Sequence, residues 1–153
     1  MSNLVVADSR IPAMSDRAID LVRELEQVVA TMPQTEIDTH HVIHGGMYAR
    51  TILVPANTVL TGALINVPTM LIINGSVRVT IGDEAVFLDG HHVLAASKHR
   101  KQAFLAIDDT WLTMVFATQA QTVEEAEDEF TDEAERLMSR KPFAKNSIII
   151  TGE

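Results

Sequence analysis

Six histidines are the side chains in this sequence best suited to binding a metal ion or moving a proton near neutral pH: His40, His41, His44, His91, His92 and His99. Three of them sit in DTHHVIHGG, residues 38–46, just before a glycine pair. Side chains alternate between the two faces of a strand, so His40 and His44 share one face and His41 takes the other. With Asp38 nearby they form a candidate surface metal site; the rival reading is a polar start to a strand ahead of a glycine turn. His91 and His92 also alternate, so at most one points inward. A buried metal centre would need His41 or His44 to meet His92 or His99 across the fold. A catalytic metal site needs about three side-chain ligands and an open position.

A second group is the basic stretch Ser97-Lys98-His99-Arg100-Lys101. Lys98, Arg100 and Lys101 are candidates for contacting a phosphate or carboxylate on a partner. They could equally form an exposed turn, or pair with an acidic helix of a neighbouring subunit. Other chemistry is thin. There is no G-x-S-x-G elbow, phosphate loop or H-E-x-x-H helix. The absence of cysteine excludes disulfides and thiolate chemistry.

The net charge is −9, and residues 124–135, EEAEDEFTDEAE, carry eight acidic groups, which leaves −1 for the rest of the chain. That run reads as a solvated face or as a surface for a basic partner. A nearly neutral body disfavours general nucleic-acid binding, which needs a basic surface. No run of 18 apolar residues occurs, so no membrane span is expected. MSNLVVADSR lacks the basic start and long apolar stretch of a secretion signal, so cytoplasmic synthesis is expected.

Three zones of one domain must position these groups. Residues 1–39 hold an N-terminal arm and an amphipathic helix over 15–32, capped by Ser15, with Ala18, Val22, Leu25, Val29 and Met32 on one stripe. Residues 40–118 read as about eight short strands. Turns are predicted at Asn74-Gly75, Gly82-Asp83, Asp89-Gly90 and Asp108-Asp109. That spacing predicts a mainly β fold, a closed or two-sheet antiparallel barrel. Residues 119–153 hold an acidic helix over 122–139, with a capping box at Thr122 and Glu125 and a potential break at Thr131-Asp132. The apolar tail Ile148-Ile149-Ile150 then predicts a strand added to a sheet edge, in the same subunit or a neighbour.

The middle of the chain resembles the cupin superfamily, in Gly75-Ser76-Val77-Arg78-Val79 and in Asp89-Gly90. His41-Val42-Ile43-His44-Gly45-Gly46-Met47-Tyr48-Ala49-Arg50 and Asp108-Asp109-Thr110-Trp111 further resemble small cupin-like proteins encoded by tailed phages. The resemblance implies a cupin-type jelly-roll barrel flanked by an N-terminal and a C-terminal helix. It also implies a metal site, and there the sequence departs from the pattern. The first-motif ligand positions fall on Gly62 to Leu64 and on Pro68, and residues 51–82 hold no His, Asp, Glu or Cys. The second motif places Ala96, Lys98 and Lys101 where Pro, Gly and His belong.

No metal or other cofactor is therefore expected. The leading expectation is a non-catalytic assembly protein with a degenerate barrel, a phage virion component such as a head decoration or tail-associated protein. It would be a homo-oligomer, dimer or trimer, with Phe143, Ile148, Ile149 and Ile150 at its interface and other virion proteins as partners. One alternative is a divergent metal-dependent enzyme acting on a small molecule, with His41, His44, His92 and His99 as ligands. Another is a small-ligand binding module whose interior is lined by Met70, Ile72, Val79, Phe87 and Trp111; a cavity of roughly 300 Å³ or more with convergent polar groups would favour it.

Overall fold

In residues 69–81 the alternate side chains Leu71, Ile73, Val77 and Val79 are apolar and buried, which sets one face of a long strand against the core. The computed structural model describes residues 10–153. Residues 1–9 of the N-terminal arm lie outside the described residues. The elements are α1 (Asp16–Val29), β1 (Thr39–His44), β2 (Met47–Val54), β3 (Val59–Thr61), β4 (Thr69–Ile81), β5 (Glu84–Ala96), β6 (Ala103–Ala106), β7 (Thr110–Ala117), α2 (Val123–Phe130), 3-10 turns at Ala134–Arg136 and Met138–Arg140, and β8 (Asn146–Ile150).

The eight strands make one curled sheet in the order β3-β6-β4-β7-β2-β1-β8, with β5 paired to the other edge of β4. The mainly β architecture with two helices is the one expected. Every pair is antiparallel except β1–β8, which is parallel, so the C-terminal tail closes back onto the sheet of its own chain. Among the described residues no helix is long and apolar enough to cross a membrane.

Two expected turns are absent. Asn74-Gly75 lies inside β4 and Asp89-Gly90 inside β5, directly opposite one another in a continuous pairing from Thr69–Ala96 to Ile81–Glu84. What happens at Gly75 is a change of neighbour. Before it, β4 pairs with β7 (Met70 to Asn74); after it, β4 pairs with β6 (Val77 to Val79). The sheet forks there and curls. Gly75 has φ +151, and a Cβ would sit 2.5 Å from Thr110 Oγ1 and 2.8 Å from the Asp109 carbonyl oxygen. Thr110, fully buried, locks the fork by accepting from Ser76 N at 3.2 Å and donating to Ser76 O at 3.1 Å.

Three apolar clusters follow. The sheet's own core contains Val54, Leu71, Ile73, Val77, Val79, Phe104 and Leu112. A second, around Tyr48, Phe116, Ala126 and Phe130, seats α2; a third, around Met14, Ile19, Val22 and Ala103, seats α1. Ser15 caps α1, accepting from Ala18 N at 3.1 Å. The stripe is buried at Ala18 and Val22, but Leu25 and Met32 stay exposed, and the helix ends at Val29, short of Met32. The helix expected over 122–139 ends at Phe130, and Thr131 takes an extended backbone.

Gly75→Ala should cost about 2–4 kcal/mol, since overpacking adds to left-handed strain. Gly46, at φ +73 with open space where a Cβ would sit, should cost about 1 kcal/mol as Ala. Urea unfolding of both variants checks the difference.

Candidate functional site

The curled sheet wraps a cavity of about 830 Å³. Ile52, Leu60, Leu71, Phe104, Leu112 and Met114 line its floor, with Phe130 of α2 at one side. Register places these residues: Ile52 pairs Leu112 and Leu112 pairs Ile73, while Leu71 pairs Met114, so they share the concave face. Arg50, Arg100 and Gln102 bring polar groups to the wall, and Glu26, Arg136 and Lys141 stand toward the mouth, where the end of α1 and the 3-10 turns overhang.

Parity corrects the expected lining. Val79 does face inward, but Met70, Phe87 and Trp111 are exposed on the convex face. Ile72 is on that face as well, because it sits between Leu71 and Ile73 on one strand.

Two hubs of buried charge hold the helical segments over the cavity. At the first, Glu127 of α2 is fully buried and accepts from Arg50 Nη1 at 2.8 Å, Arg140 Nε at 2.9 Å and the Ser139 hydroxyl. Arg50 Nη1 also donates to Tyr48 Oη at 3.3 Å and Arg50 Nη2 to Ser139 Oγ at 3.0 Å. Asn146 Nδ2 donates to the Ser139 carbonyl at 2.9 Å, which aims its Oδ1 at His41 Nε2, 2.7 Å away. Nε2 therefore carries the ring proton, and the Tyr48 hydroxyl donates to Nδ1 at 2.6 Å. Burial lowers the His41 pKa from its ordinary value. Burial alone would raise that of Glu127, but hydrogen bonds from Ser139, Arg140 and Arg50 outweigh it and hold the carboxyl below the usual range.

At the second hub, Lys101 Nζ donates to Glu26 Oε2 at 2.9 Å, to the Gly62 carbonyl at 2.8 Å and to Glu133 Oε2 at 3.4 Å. Arg23 also holds Glu133, at 2.6 Å. These bonds tie α1, the loop after β3 and the first 3-10 turn together. Arg100, next in the chain and equally buried, donates from Nε to Gln102 Oε1 at 3.2 Å, from Nη1 to the Ser97 carbonyl and from Nη2 to Thr69 Oγ1. It has no carboxylate partner among the described residues, and burial brings its pKa down to about 10.

The expected basic surface loop is thus corrected: Lys98 is exposed, while Arg100 and Lys101 turn inward. The acidic run is likewise only partly a solvated face, since Glu127 and Glu133 neutralise cations of the same chain. The four candidate metal ligands do not meet. His41 belongs to the first hub; His44, at the sheet rim, bonds Thr151 Oγ1 at 2.7 Å. His92 bonds the Asp89 carbonyl at 2.7 Å, and exposed His99 reaches Asp16 at 3.3 Å. Among the described residues no group of three or more His, Asp or Glu is placed to hold a metal ion. A metal does not fit where the cupin pattern would put one. Lys101 stands at the second-motif histidine position and bonds Gly62 of the first motif, so an ammonium fills the cradle between two carboxylates.

Of the interface candidates, Ile148, Ile149 and Ile150 are half-exposed on β8 and Phe143 is 91% exposed. The residues that sequence reasoning missed are Arg50, Glu127 and Gln102, whose roles depend on contacts between distant strands and helices.

No known protein family matches the sequence, and no curated protein matches it. Solved structures match the fold. An ectoine synthase from P. lautus is 19% identical over 69% of this chain and 83% of that chain, with a TM-score of 0.49. KdgF from Halomonas sp. is 15% identical over 58% and 84%, with a TM-score of 0.47. A cupin superfamily protein from Desulfitobacterium hafniense is 11% identical over 60% and 88%, with a TM-score of 0.45. The structural neighbours are thus cupin superfamily proteins of mixed kinds, some of them enzymes.

Acid should weaken the fold in two steps. His41 is depressed below 6.5, so its contribution is complete above pH 6.5 and is lost as pH falls toward its folded value. Glu127 and Glu133 are depressed below 4.5, so theirs is complete above pH 4.5 and lost below it. In melting temperatures measured across pH, His41→Gln should remove the first step. Glu127→Gln should shrink the second and cost about 3 kcal/mol at neutral pH by stranding Arg50.

Proposed function

We propose that this protein is a binding module that holds a small, largely apolar molecule inside its curled sheet. The observation that carries the reading is the cavity of about 830 Å³, within the usual size range for ligand sites, with an apolar floor and a few convergent polar groups. The carboxylates that could act as acid or base at its wall, Glu26 and Glu133, are both bound to Lys101, which favours binding over catalysis.

N-phenyl-1-naphthylamine, a neutral apolar dye that fluoresces on leaving water, tests the cavity. It should bind one per chain with a Kd on the order of 10 µM. Met114→Trp, at a half-buried position on the floor, should raise that Kd at least tenfold. No saturable binding, or equal binding by the variant, sinks the reading.

A second reading, assembly with a second copy of this chain, is favoured by the convex face. Register lines up Ile149, Val42, Ala49, Val115, Met70 and Ala95 across six strands. The next row is Ser147, His40, Thr51, Thr113, Ile72 and Val93, and then come Leu53, Trp111, Asn74 and His91. No Asp, Glu, Lys or Arg occurs in these rows. Copies of a chain with net charge −9 repel except where such a face excludes charge. Two rows of six residues and one of four span roughly 500 Å², somewhat under the share of one partner in a standard interface. Of the three tail isoleucines only Ile149 lies on this face; Ile148 and Ile150 pair with His41 and Ile43 and take the other side of β8. A place in a virion, implied by the resemblance of residues 41–50 and 108–111, would be one instance of this assembly.

Light scattering should then give a dimer, and Met70→Glu with Trp111→Arg, both at exposed positions, a monomer of unchanged circular dichroism. A monomeric parent protein sinks this second reading.

A further inference from the structure

Four cations and two carboxylates line the cavity, a positive excess in a chain whose net charge is −9. The pairing of those charges is uneven. Arg50 is engaged by Glu127, and Glu26 and Glu133 are engaged by Lys101 behind the wall. Three cations are left over: Arg100 in the wall, and Arg136 and Lys141 at the mouth, none with a carboxylate partner among the described residues. Arg100 is 1% exposed, yet only neutral oxygens accept from it. A buried guanidinium has five N–H donors in a planar fork, and three of them are used by the protein. Taking such a charge out of water without a counter-charge is costly, whereas Lys101, the other fully buried cation among the described residues, has its carboxylates, as does the partly buried Arg50. The missing charge is on no described side chain, and the wall where Arg100 stands opens on the cavity.

We infer that the cavity takes an amphipathic organic anion, its carboxylate or similar oxyanion held by Arg100 and drawn in past Arg136 and Lys141. The apolar floor takes the body of the molecule, and the fork of the guanidinium matches the two oxygens of a carboxylate. Arg136 and Lys141 stand at the solvent-facing mouth, so their part is attraction, screened by salt; that of Arg100 is retention. The inference rests on the binding reading above and names the class of ligand for the same site.

Three probes with near-equal tails of nine or ten carbons and different heads separate the two ideas: decanoate, 1-decanol and decyltrimethylammonium, each used to displace bound N-phenyl-1-naphthylamine at low salt. Decanoate should displace the dye at a concentration at least tenfold below that of decanol, and decyltrimethylammonium should be the weakest. Arg100→Gln should erase the gap between decanoate and decanol, read as the ratio of their displacement concentrations on protein that still binds the dye. If that variant does not fold, as circular dichroism would reveal, the double variant Arg136→Gln/Lys141→Gln decides, with a gap cut to half or less. Equal displacement by the three heads, on protein that binds the dye, overturns the anion and spares the cavity. A gap unchanged in the folded variants overturns it too. Failure of the dye to bind retires both readings.

Discussion

A buried carboxylate, Glu127, is the constraint around which much of this fold is arranged. A carboxylate removed from water must be matched by cations and donors at hydrogen-bond distance, and here they come from two distant places in the chain: Arg50 on β2, and Ser139 and Arg140 in the second 3-10 turn. Satisfying Glu127 therefore fixes α2 against the sheet and folds the following segment back over it. The same set reaches Tyr48, His41 and Asn146, so β8 is docked on β1 by side chains as well as by its backbone ladder. Arg50 also lies over the Phe130 ring at 5.5 Å, joining the polar hub to the apolar cluster beneath α2.

Lys101 repeats the device for the other helix. Its ammonium lies between Glu26, Glu133 and the Gly62 carbonyl. A protein cation thus bridges α1, the loop after β3 and the first 3-10 turn. With both helical segments anchored by charge around its rim, the concave face of the sheet does not need to be filled by side chains, and a cavity remains. Arg100, one residue away, shows the contrast. It is equally buried and bonded only to neutral oxygens, which makes the wall of that cavity electropositive.

Much of the scaffold was legible in local pattern. Alternation in residues 76–81, the Ser15 cap and the break at Thr131 all recur in the structure, since each depends on neighbours a few residues apart. His41 facing opposite His40 and His44 follows from the pleat alone. Asn74-Gly75 misled because a glycine that lets a strand meet two different neighbours looks, in one dimension, like a glycine that turns it. Met70, Phe87 and Trp111 misled because membership of a strand does not say which of its two faces is inside.

The order of amino acids by itself determined a mainly β chain with helices at each end, an acidic segment, and no side chains of metal-binding type in the stretch where the cupin pattern requires them. These are matters of composition, periodicity and spacing. Only the tertiary structure decided that Arg100 and Lys101 turn inward, that Glu127 and Glu133 receive cations of the same chain, and that the interior stays open. Charge pairing and cavity volume are set by which distant segments come within a few ångströms, and that distance is a property of the packed fold rather than of any stretch of sequence.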